Sequence, residues 1–112
     1  MDSAIDMAFM YIWVKISDLY ENDGFVDNFG FDALSNRSKI RDIYETGMKE
    51  YIKMEENEIE MRADIFVKDI VFNIQAYIIT SLIYDNESVM KKVRDRVLIH
   101  RDSMMSLLGE KS

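Results

Sequence analysis

A chain of 112 residues is long enough for one domain with one core, burying roughly two thirds of its unfolded surface without a disulfide or a metal. Its 48% hydrophobic and 31% charged residues exclude a disordered chain, and the lack of cysteine excludes a disulfide framework, thiolate metal sites and thiol catalysis. The net charge of −7 is uneven: the first 64 residues hold 15 acids and 7 bases, the rest 6 and 7, so the first half repels nucleic-acid phosphate.

With no proline and only four glycines, little interrupts a helix. The expected fold is all-α, a bundle of four long helices plus a short aromatic helix or turn, in a single helical domain over 1–112. The first residues carry Asp2 and Asp6 where a secretory signal would carry bases, so export is not expected and a cytoplasmic location is. The apolar run 70–84 is short for a bilayer and holds Asn73, Gln75, Thr80 and Ser81, so no membrane association is expected.

In chain order, Ser3 and Asp6 resemble a capping arrangement. Ile5, Phe9, Ile12, Trp13, Ile16 and Tyr20 then recur at helical spacing up to Gly24. Met7, Met10, Tyr11 and Val14 fill the rest of that circumference, which predicts burial on more than one side. Residues 25–34 are aromatic but broken by Gly30, and their three phenylalanines are expected to plug the core. Ser35 or Ser38 is a candidate cap for the next helix, where Ile40, Ile43, Tyr44, Met48, Tyr51 and Ile52 oppose a charged face. Gly47 costs that helix about 1 kcal/mol relative to alanine unless another backbone approaches it closely. The acidic run 55–60 reads as a solvated connection.

Asp64 is the expected cap of the next helix, which carries apolar residues on every side over 65–84 and should therefore be central and wrapped by the others. Asn86 is the expected cap of the last, in which Val89, Val93, Val97, Met104 and Leu108 recur at helical spacing up to Gly109. The core is expected at Phe9, Trp13, Ile16, Phe29, Tyr44, Ile52, Phe66, Ile70, Ile74, Ile78 and Val93.

No catalytic signature stands out. His100 is the only histidine, with no acid three or four residues away, so no metal site can be written around it; it reads as a packed core or interface residue. Lys91, Lys92, Arg94 and Arg96 are interrupted by Asp95 and lack an aromatic platform, which makes them a charged helix face. Asn73, Gln75, Tyr77 and Thr80 need partners on a buried helix. They either bond to neighbouring helices or line a cavity. In the second case Trp13, Tyr44, Met48, Asn73 and Tyr77 would bind a small apolar ligand, with methionines making the wall adaptable.

From Ile43-Tyr44-Glu45-Thr46-Gly47-Met48-Lys49-Glu50 through Glu58-Ile59-Glu60-Met61-Arg62-Ala63-Asp64 and the apolar helix, to Asn86-Glu87-Ser88 and Ser106-Leu107-Leu108-Gly109, the order of features resembles one known domain. It is the C-terminal effector-binding and dimerisation domain of TetR/AcrR-type transcriptional regulators. That resemblance implies a non-catalytic regulatory domain that binds a small apolar effector, needs no cofactor, and forms a homodimer through its last two helices. Val93, Val97, His100 and Met104 are the expected dimer interface. The family's N-terminal helix-turn-helix domain has no counterpart in residues 1–21, so this chain alone is not expected to bind nucleic acid. A second class of explanation is a small acidic viral or phage helical protein, similar to poxvirus apoptosis-regulator-like bundles or phage inhibitors, that binds and inhibits a host protein.

Overall fold

Apolar residues spaced for helices, with no proline among them, fold into four helices in the computed structural model, which describes residues 2–23, 33–80 and 86–108. They are α1 (Asp2–Asp23), α2 (Ala33–Tyr51), α3 (Glu56–Thr80) and α4 (Asn86–Leu108), and no strand occurs among the described residues. The aromatic segment from Phe25 to Phe31 lies outside the described residues.

The helices stand at the four corners of a bundle. α1 packs on α2 and α4, and α3 packs on the same two. Phe66 faces His100 while Tyr77, further along α3, lies near Lys92, earlier on α4, so these two run antiparallel. The Lys49–Glu56 and Arg41–Asp64 ion pairs set α2 and α3 antiparallel in the same way, across the short connection 52–55. Extents of 45 × 22 × 21 Å suit an elongated bundle two helices across.

Ile5, Ile12 and Ile16 of α1, Ile40 and Met48 of α2, Phe66, Ile70 and Ile74 of α3, and Val89 and Val93 of α4 fill the interior. Burying one such side chain contributes roughly 1.5–3 kcal/mol. Of the expected core, Phe9, Ile16, Tyr44, Ile52, Phe66, Ile70, Ile74 and Val93 are buried, and Trp13 is half-buried. Phe29 and the Ile78 side chain lie outside the described residues.

Three expectations are corrected. The apolar helix is not central: Met61, Ile65 and Phe72 of α3 are exposed, Phe72 at 70%. A helix at a corner has two neighbours, so part of its circumference meets water whatever it carries. α1 likewise exposes Met7, Met10 and Val14. Secondly, the acidic run opens α3 instead of ending α2. The Glu55 carbonyl accepts from the Ile59 N–H at 3.0 Å, and Glu56 and Glu58 sit in the first turn, where the helix dipole favours negative charge. Asp64 is therefore inside α3, paired with Arg41, and is not a cap. Thirdly, α2 begins at Ala33, so Ser35 and Ser38 lie within it, as Ser3 lies within α1.

Gly47 sits where α1 and α2 approach closely. A Cβ there would lie 2.9 Å from Cγ1 of Ile12 and 3.3 Å from the Ala8 carbonyl oxygen.

Candidate functional site

Four rings cross the bundle, one from each helix. Phe9 meets Tyr44 edge-on at 6.3 Å, Tyr44 tilts against Phe66 at 4.7 Å, and Phe66 meets His100 edge-on at 5.0 Å. This line of rings fixes the two polar residues that matter most, Tyr44 on α2 and His100 on α4.

The His100 ring reaches α3 at Asp69, with Nε2 2.8 Å from Oδ2. Arg96, one turn earlier on α4, grips the same carboxylate with Nε to Oδ2 at 2.9 Å and Nη2 to Oδ1 at 2.8 Å. Asn73, one turn on along α3, donates to Oδ1 at 3.0 Å and to the Asp69 carbonyl at 2.8 Å. Burial pushes the Asp69 pKa up and is the largest single influence. The hydrogen bonds and charges of Arg96 and His100 together outweigh it and hold the carboxyl below its usual range. Asp69 is therefore an anion at neutral pH, and Nε2 of His100 donates to it, which leaves Nδ1 for other contacts.

Beside this cluster, a groove of about 230 Å³ opens between α3 and α4, lined by Tyr44, Arg62, Ile65, His100, Ser103 and Met104. Burial raises the Tyr44 pKa to about 12, against the opposing pull of the Arg62 charge, so the phenol is a neutral donor. Arg62 itself pairs with Glu58, one turn back on α3, at 3.2 Å.

On the other side of the bundle, α1 presents an apolar ridge between two clefts. Met7, Met10 and Val14 are exposed, Met10 at 66%. The cleft toward α4, about 300 Å³, is lined by Phe9, Met10, Trp13, Val97 and Leu98 with Asp6, Arg94 and Arg101 at its edges. The cleft toward α2, about 230 Å³, is lined by Met7, Met10, Tyr11, Val14, Lys15 and Tyr51. Met10 borders both.

Among the described residues, the five expected ligand residues do not line one cavity. Tyr44 and Met48 are packed in the core, Trp13 faces the α1–α4 cleft, and Tyr77 lies near the Lys92 ammonium, 5.6 Å from its ring centroid. Asn73 is occupied by Asp69, and Thr80 bonds back to the Ala76 carbonyl at 2.7 Å. These polar groups are satisfied within their own helix, which is why they need no ligand. The four expected dimer residues lie together along one stripe of α4. Val93, Val97 and Met104 are buried inside the bundle and His100 is turned onto Asp69, so this stripe of α4 is its inward face. Among the described residues, the large outward apolar side chains of α3 and α4 are Met61, Ile65, Phe72, Ile99 and Leu107.

Sequence reasoning passed over Asp69. Its signal was present: an acid inside an apolar run, with Arg96 and His100 spaced one turn apart on the following helix. Among the described residues no three His, Asp or Glu side chains gather to hold a metal, and no helix is long and apolar enough to cross a membrane.

Fold and surface together define an all-α four-helix bundle in which α3 runs antiparallel to α2 and α4, with the Asp69 cluster between α3 and α4 and an apolar ridge on α1. Set against known protein families, curated proteins and solved structures, the chain matches none of them.

Proposed function

We propose that this chain is a non-catalytic binding module whose α1 face takes an amphipathic helix from a partner protein. The observation that carries this reading is the Met7–Met10–Val14 ridge with a cleft on each side. Apolar side chains spaced one turn apart on a partner helix fit such clefts, and methionine adapts to their shape. The binding reading is favoured over an enclosed effector site because the clefts open to solvent and the expected cavity residues are dispersed.

Charge indicates the kind of helix. The edges carry Lys15, Arg94 and Arg101 against Asp6, although the chain as a whole is acidic. Arg94 has no ion pair among the described residues, while Arg101 is shared between Asp6 and Asp102. An acidic apolar helix complements that edge, whereas a second copy docked through the same face would set cations against cations.

Trp13 is the only tryptophan and lines the larger cleft, so its fluorescence reports occupancy directly. Titration with a Leu- and Glu-rich helical peptide should shift the Trp13 emission to shorter wavelength, and Met10→Asp should abolish the shift. No change with the peptide, or a dimer by light scattering that Met10→Asp dissolves, would count against this reading.

A further inference from the structure

We propose that the groove between α3 and α4 binds a small organic carboxylate, with the Tyr44 hydroxyl and Arg62 holding its oxygens and Ile65 and Met104 covering its apolar body. This site is on a different side of the molecule from the α1 face and does not depend on that reading.

The Tyr44 hydroxyl carries the argument. Tyr44 is only 3% exposed, it lines the groove, and its hydroxyl has no hydrogen-bond partner among the described residues. Buried polar groups are almost always paired, so a phenol unpaired among the described residues and lining an open groove suits a partner that enters from the groove. Its ring cannot turn away, because Phe9 and Phe66 hold it on either side.

Arg62 supplies the charge. Its partner is the more exposed Glu58, and an i,i+4 pair of this kind is weak enough to be exchanged for a guest carboxylate. Burying the guest beside the guanidinium and the phenol gives charge-assisted bonds that the Glu58 pair does not match. Ser103 stands at the rim as a further donor. A dianion such as phosphate fits less well: the groove offers one guanidinium, two of its six lining residues are the apolar Ile65 and Met104, and the Asp69 carboxylate lies just behind His100. A volume of about 230 Å³ suits a molecule the size of benzoate.

The test uses the whole chain with benzoate, its uncharged counterpart benzamide, and inorganic phosphate, followed by calorimetry and by NMR of the single histidine ring. Benzoate should shift the His100 and Tyr44 ring signals saturably, with benzamide and phosphate each at least about tenfold weaker. Tyr44→Phe removes only the hydroxyl, and it and Arg62→Gln should each weaken benzoate by about tenfold. Lys15→Gln, on the opposite side of the bundle, should change nothing. Benzamide or phosphate binding as tightly as benzoate would overturn the proposal, as would benzoate leaving the His100 signal unmoved or binding equally well to both groove variants. Arg62 lies at the groove's edge, so the Gln variant keeps the test decisive if Tyr44→Phe fails to fold.

Discussion

Asp69 and His100 meet across α3 and α4 with 2.8 Å between Oδ2 and Nε2, although they lie 31 residues apart in the chain. The contact closes because Arg96 neutralises the same carboxylate and Phe66 backs the imidazole, so the charge is compensated and the ring is held. It ties the two last helices together at mid-length.

That relationship makes stability depend on acid. The folded Asp69 pKa is depressed, so its stabilisation is complete above the usual carboxylate range and is lost as pH falls through that range toward the lowered folded value. Asp69→Asn should cost about 1–3 kcal/mol at neutral pH, since Arg96 and His100 would then face an amide. Its stability should also fall less steeply than wild type on acidification. Urea unfolding followed by circular dichroism from neutral pH down to about pH 3 reads both effects.

Gly47→Ala should destabilise the protein even though alanine is the better helix former by about 1 kcal/mol. The new methyl would crowd the buried Ile12 side chain at 2.9 Å and the Ala8 backbone at 3.3 Å, and neither can swing aside. Separating α1 from α2 should outweigh the propensity gain by roughly 1–2 kcal/mol, seen as a lower Tm.

One charge placed at two positions separates surface from core. Met10→Asp should leave stability within about 0.5 kcal/mol, because Met10 is exposed. Val97→Asp would bury an unpaired carboxylate in the bundle, so it should unfold the chain outright and would not merely split a dimer. Chemical denaturation of both variants checks the contrast.

Phe66→Ala removes the ring that touches both Tyr44 and His100. A cost of about 3–5 kcal/mol is expected from the lost burial and the cavity left behind. The His100 ring resonance should broaden or shift in any folded remainder, since its edge-on partner is gone.

The all-α class and four long helices followed from local properties that a sequence displays: no proline, 3.6-residue apolar spacing, and Gly47 at a position that only a close helix crossing justifies. Helix ends were less legible. Asp64 is a good cap in isolation, but burial of Ile59 extended α3 upstream past it, and α2 likewise begins before the serines at 35 and 38. Packing of an apolar stripe stabilises a helix more than one cap does.

Periodicity named the stripe Val93, Val97 and Met104 correctly as apolar, yet it could not say whether that stripe met this chain's own core or a second copy. Spacing along one helix carries no information about which helix lies opposite. For the same reason the sequence by itself determined which residues were available for burial in some bundle, through hydrophobic burial that acts on each helix separately, and Phe72 and Met10 were among those left in water. Only the tertiary structure decided that α3 stands at a corner with Phe72 in water, that Asp69 meets Arg96 and His100, and that Tyr44 ends at a groove with its hydroxyl unpaired among the described residues. Each of these depends on which helices become neighbours, and that is set by the whole chain closing on one core.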